Sequence, residues 1–288
     1  DPAQSGVGRL ILETPSGLML DLVQQNVIRG GELGGLVELR DKTLSYAQEQ
    51  LDEVAAAIAQ AMSTIETKGT AATVGAAEGF DVDIAAVRNG NDVVLNYTEN
   101  GIAHSVRVIR VDDTAKLPMD VNDANGNRVI GLDFSGGAAS IAAQLQTALG
   151  TAFSVSSPGG STLRILDDGA ANTTNITGLS ARSTVTANQG AGLALNLFVD
   201  VGNADFTNSL DGIGQKRGFA ARISVNADIL ADMTLLVQHT AGGSLGDDDR
   251  PDYLLERLET MRFSSYQPSG LQASYRLSGT VSDVIAQA

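Results

Sequence analysis

The chain contains no cysteine and no tryptophan, and its two histidines are His104 and His239. Without cysteine there is no disulfide framework, no thiolate zinc site and no cysteine nucleophile. Two histidines far apart in sequence leave little material for metal ligation or for acid–base chemistry near neutral pH. Positive charge is also scarce: 19 Lys+Arg stand against 34 Asp+Glu, a formal net charge of −15. That balance excludes a nucleic-acid binder, which needs a basic footprint, and disfavours docking on anionic lipid. No apolar run approaches the roughly 18 residues that a membrane helix requires. No basic segment followed by an apolar one marks a signal peptide, and the chain opens on Asp1-Pro2 without Met, so it reads as part of a longer protein.

What is present is 43% hydrophobic residue in 288 positions, enough for sizeable cores and for roughly two domains. Two apolar runs, Leu10–Leu12 and Leu18–Val23, flank Pro15-Ser16-Gly17, a turn signal that predicts a β-hairpin or paired edge. After Gly30-Gly31 a helix is expected up to about Lys68-Gly69, because Val37, Leu44, Leu51, Ile58 and Ile65 recur every seven residues. Ala47, Val54 and Ala61 supply the second position of this stripe, and Arg40 is a local exception within it. Such a narrow seam predicts bundle or coiled-coil packing.

From about Thr70 to Gly192 short alternating runs take over, among them Phe80–Ile84, Val93–Tyr97, His104–Val111, Arg128–Phe134 and Leu163–Leu166. Asn89-Gly90 and Asn100-Gly101 favour tight turns with positive φ. Ala138–Leu149 reads as one helix, and Thr184–Thr186 as a further strand. Beyond Ala204 helical pieces return: Asn226 is placed to cap a turn through Leu230, and Asp249-Arg250-Pro251-Asp252 opens a helix with Tyr253, Leu254, Leu258 and Met261 on its apolar side. The fold class expected is α+β, elongated and multidomain. Residues 1–29 form a hairpin or edge segment leading into the bundle. Residues 30–74 and 193–288 form a discontinuous helical bundle-like domain with a long helix, and 75–192 an inserted β-rich domain containing one helix.

Catalytic signals are weak. Gly242-Gly243-Ser244-Leu245-Gly246 matches the nucleophile-elbow pattern, but no strand is expected before it and both histidines precede it. Asp120, Asn122, Asp123 and Asn125 before Gly126 suggest a calcium loop, yet Val121 stands where the first ligand belongs, so a solvated hairpin loop is the better reading. Asp247-Asp248-Asp249 reads as a solvated loop feeding a helix cap. Gly212, Gly214 and Gly218 make neither a dinucleotide fingerprint nor a phosphate loop. No catalytic, cofactor-binding or metal-binding residue is assigned.

The stretch Gly30-Gly31-Glu32-Leu33-Gly34-Gly35-Leu36-Val37-Glu38-Leu39-Arg40-Asp41-Lys42-Thr43-Leu44 resembles the signature of the bacterial flagellar hook-associated protein 1 (FlgK) family, the hook–filament junction proteins. The motif positions are Gly34, Gly35, Leu36, Arg40, Asp41 and Leu44, and Gln50-Leu51-Asp52-Glu53-Val54-Ala55 fits the family's continuation. Gly218–Asn226 and Asp249-Arg250-Pro251 resemble its later part. The seam Val37, Leu44, Leu51, Val54, Ile58 and Ile65 is then the structural spine.

The resemblance implies a structural, non-enzymatic subunit without cofactor, exported through the flagellar channel without a cleaved signal peptide and assembled outside the cell. Its implied partners are the hook subunit, the neighbouring junction protein, itself in a ring when full length, and an export chaperone acting through a C-terminus missing here. Neither nucleic acid nor membrane is implied, and the terminal coiled-coil segments would be absent, leaving a monomeric fragment. An extracellular adhesin or glycan-binding β-domain protein, and a secreted hydrolase using Ser244, are the alternatives.

Overall fold

The computed structural model describes residues 10–23, 25, 27–28, 30–265 and 276–287. The chain divides into two units, Asp1–Leu51 and Asp52–Ala288.

In the first unit, β1 (Ile11–Glu13) and β2 (Met19–Asp21) pair antiparallel with Leu12 opposite Leu20, which is the expected hairpin. The turn closes because Gly17 takes φ +80° and donates its N–H to the Thr14 carbonyl at 2.8 Å. Helix α1 (Gly31–Glu38) runs into a π-helical turn, Leu39–Thr43, and then into α2 (Leu44–Ser63). Arg40 and Asp41 lie within the π turn, paired at 2.6 and 3.1 Å.

The second unit begins with the last turns of α2 and continues directly into strands. β3 (Thr64–Lys68) and β4 (Thr70–Val74) precede β5 (Ala77–Asp83), β6 (Asp92–Glu99) and β7 (Ile102–Arg110). β8 (Met119–Asn122), β9 (Arg128–Leu132), helix α3 (Gly137–Leu149), β10 (Ser154–Gly159), β11 (Thr162–Leu166) and β12 (Thr174–Thr184) follow. They form a six-stranded sheet, β3-β12-β6-β7-β9-β8, and a four-stranded sheet, β10-β11-β5-β4. All pairings are antiparallel except β7 with β9.

The alternation seen in sequence is what builds the core. Val82 of one sheet, Val93 and Leu95 of the other, and Ile141 and Leu145 of α3 are all buried in one cluster. Asn100-Gly101 makes the two-residue β6–β7 turn, with φ +50° and +81°.

Residues 195–287 supply β13 (Phe198–Asp200), β14 (Ala204–Asp205), β15 (Ser224–Val225), α4 (Ala227–Ala231), α5 (Asp249–Thr260), the pair β16 (Arg262–Ser264) and β17 (Ser278–Thr280), and α6 (Val281–Gln287). The cap at Asn226 is the expected one. Asn226 Oδ1 accepts the Asp228 N–H at 2.9 Å at the start of α4. Thr280 and Asp283 exchange side-chain-to-backbone bonds, 2.7 and 3.2 Å, at the start of α6. No helix among the described residues is long and apolar enough to cross a membrane.

Two expectations need correction. Ile65 is not a helical residue: α2 ends at Ser63, and Ile65 pairs with Ser183 in β3. β-branched Thr64, Ile65 and Thr67 favour a strand once β12 offers an edge. The heptad seam is not the buried face of the helix either. Leu44 and Leu51 are 57% and 58% exposed, and Val37, Val54 and Ile58 are half-buried. Sheet pairing also starts at Thr64, earlier than the expected module boundary at 75.

Candidate functional site

The buried face of α2 in the second unit consists of Asp52, Glu53, Ala55, Ala56, Ala59, Ala61, Met62 and Ser63. Its small residues meet Phe206 and Phe219, which stack with ring centroids 4.0 Å apart and are both fully buried. Alanine here lets aromatic rings come against the helix backbone, which a leucine seam would prevent. What the helix end packs on is therefore strands, turns and short helical pieces with two phenylalanines.

At the rim of this contact the helix presents carboxylates. Asp52 accepts the backbone N–H of Gly218 at 2.6 Å and that of Ala220 at 2.8 Å. Gly218 is suited to this turn because its φ is +71°, a conformation that disfavours a side chain. Glu53 pairs with Lys216. Arg222 in turn clasps Asp200 at 2.9 and 3.2 Å and donates to the carbonyls of Gln215 and Arg217. Burial alone would raise the Asp200 pKa, but Arg222 and the Val201 N–H outweigh it and hold the carboxyl below its usual range. Two segments more than 160 residues apart, Asp52–Glu53 and Lys216–Ala220, are thus joined by backbone-directed carboxylate bonds and one ion pair.

The third segment singled out in sequence, Asp249-Arg250-Pro251, contributes a buried cation. Arg250 is 0% exposed. Its Nη1 donates to the carbonyls of Asn188, Leu235 and Gln238 at 3.0, 2.5 and 3.2 Å, and Nη2 to that of Gly192 at 3.2 Å. Burial lowers its pKa. The guanidinium ties two segments, 188–192 and 235–238, to the first turn of α5, whose Leu254 packs with Met62, Leu195 and Ile229.

The other predicted positions are placed as follows. Gly34, Gly35, Leu36, Arg40, Asp41 and Leu44 lie in the first unit, on α1, the π turn and the first residue of α2. Leu36 is 55% exposed, and a Cβ at Gly35 would meet nothing within 4 Å. Ser244 sits on an exposed turn, with its hydroxyl accepting the Gly246 N–H at 3.1 Å. Asp123 is buried rather than solvated. It closes its own hairpin by accepting from the Asn125 and Asn127 N–H groups at 2.8 Å, while Asp120 pairs with Arg128. The carboxylates of Asp247, Asp248 and Asp249 come within 4.8 Å of one another on the surface.

Sequence reading passed over Arg250 and the Asp52–Glu53 pair as contributors. The signal for the latter was the stripe 52, 55/56, 59, 62/63, which has helical spacing but begins on carboxylates and continues in alanine.

These interactions hold polypeptide to polypeptide within an α+β fold that contains a long helix. Residues 5–81 match the family model described as flagellar hook-associated protein FlgK helical domain. The match spans about a quarter of the 288 residues, and it is this part of the chain that is similar to a hook-associated protein. No curated protein and no solved structure matches it.

Proposed function

We propose that the chain acts as a hook–filament junction subunit, a non-catalytic adaptor between the hook and the next axial protein. The observation that carries this reading is the FlgK helical-domain match over residues 5–81, which contains the Gly34–Leu44 motif and the α2 helix. The docking of α2 through Asp52 and Glu53 onto residues 216–220 supports a mechanical role, since it links distant chain segments without forming a reaction site. Its partners would be the hook subunit, a neighbouring junction protein and further copies of itself in a ring, with an export chaperone before assembly. Export through the flagellar channel would place it outside the cell, where a cysteine-free chain cannot be trapped by wrong disulfides.

A strain deleted for the gene should build hooks, lack filaments and release flagellin into the medium, and a plasmid copy should restore filaments. Antibody labelling should fall at the hook–filament boundary. Normal filaments in the deleted strain would refute the reading.

A further inference from the structure

A cleft of ≈ 370 Å³ opens beside the C-terminal half of α2, between the six-stranded sheet and the end of α5. Five cations line it: Arg107, Arg182, Lys216, Arg257 and Arg262. In a chain of net charge −15 this concentration of positive charge is against the trend of the whole surface.

Four carboxylates act on the five cations: Asp92 and Glu53 line the cleft, while Glu66 acts on Arg182 and Asp283 on Arg262 from beside it. Asp92 is 4% exposed and is shared by Arg107 and Arg182. Glu53 is held by Lys216. Arg257 rests its Nε–H on the Ala61 carbonyl at 3.3 Å, and neither it nor Arg262 forms a salt bridge among the described residues. Five cations against these four carboxylates leave one positive charge in excess, and the arginine forks match carboxylate geometry. Asn91, Asn208, Gln60 and Thr260 add further polar groups. A pocket for a compact metabolite is mostly apolar and enclosed. This one is polar, so affinity must come from charge, and a ligand carrying several carboxylates gains most.

We propose that this cleft is a docking site for an acidic peptide segment of a partner protein. The remaining surface repels such a segment while the cleft attracts it, so the field of the molecule itself directs the encounter. The proposal stands on the cleft's charge and does not depend on the junction reading.

Isothermal titration of the whole chain with hexaglutamate tests it, with inorganic phosphate as the small-anion comparison. Saturable hexaglutamate binding is expected at low salt, weakening steeply as salt is raised. R257Q/R262Q should weaken it by about tenfold or more, the loss of two charge contacts, whereas Lys116→Gln, on an exposed turn away from the cleft, should leave it unchanged. If R257Q disturbs the thermal melt, R262Q alone, at an exposed position, carries the comparison and should still weaken binding. Absence of saturable binding, unchanged affinity in the arginine variants, or phosphate binding as tightly as hexaglutamate would each overturn the peptide site.

Discussion

Arg250 illustrates how much one side chain can hold. Its guanidinium is fully buried, and its electrostatic partners are four backbone carbonyls. Arg250→Met keeps the volume of the stem but withdraws the donor from all four carbonyls, of which Gln238 keeps the Gln189 side-chain amide at 3.3 Å. At roughly 1–3 kcal/mol for an orphaned buried group, the loss should reach about 3–5 kcal/mol in urea unfolding. Arg250→Lys should lose less, since an ammonium can serve some of the same carbonyls. Equal stability of wild type and Arg250→Met would show that the carbonyls find water instead.

Asp92 makes the corresponding statement about pH. Burial would raise its pKa, but Arg182 and Arg107 outweigh it and bring it to about 2, below the ordinary 3.8. A depressed folded pKa means stability that is present above the unfolded value and lost as pH falls through the folded one. The window is therefore about pH 4 to 2, with an amplitude on the order of 2 kcal/mol. Asp92→Asn should unfold more easily at pH 7 and show a shallower loss of stability across that window. An unchanged acid limb would rule out this pair as a source of the pH dependence.

At the scale of elements, helix starts are legible because they depend on a few local residues. Asn226 caps the start of α4 with its side chain, and Pro251 lies in the first turn of α5. β12, which pairs with both β3 and β6, went unread except at its last residue. Its sequence Thr174–Thr184 is mostly polar, and Gly178 lies at a register shift that breaks the period-two pattern. Its burial comes from neighbours on both sides, which no local window contains.

The long helix was found but its face was misread, because large apolar residues were weighted over small ones. Substitution separates the two readings. Ala59 is 0% exposed beside Phe206 and Phe219, so Ala59→Leu should cost about 1–3 kcal/mol or more by overpacking. Leu51→Ala should stay within about 0.5 kcal/mol of wild type, as expected for an exposed position. A larger loss from Leu51→Ala than from Ala59→Leu in chemical denaturation would restore the heptad seam.

For the whole molecule, the change in sequence texture marks a β-rich region, and one hydrophobic cluster lies inside it. The cluster containing Val82, Leu95 and Ile141 draws all its buried members from residues 82–181. The clusters around Phe206 and Leu254 draw theirs from α2 and from residues 195–254. What joins these regions is narrower. Leu210 packs with Ile109 and Val129, Arg88 pairs with Asp205 at 2.6 Å, and Gly90 sits where a Cβ would fall 2.4 Å from the Ser209 nitrogen.

The chain also returns to its starting point, since the Val185 N–H donates to the Ser63 carbonyl at 2.8 Å. Deleting 64–184 and joining Ser63 to Val185 through a short glycine link should therefore leave a helical remnant that still melts cooperatively, at reduced stability. Deleting 75–192, the boundary that composition suggests, should behave worse. It strands β3 and β4 without β12 and β5, leaving unpaired edges that favour association. Circular dichroism and light scattering compare the two deletions directly. If the 64–184 deletion loses its cooperative melt while the 75–192 deletion keeps one, the narrow bridge at Leu210, Arg88 and Gly90 is part of a single shared core.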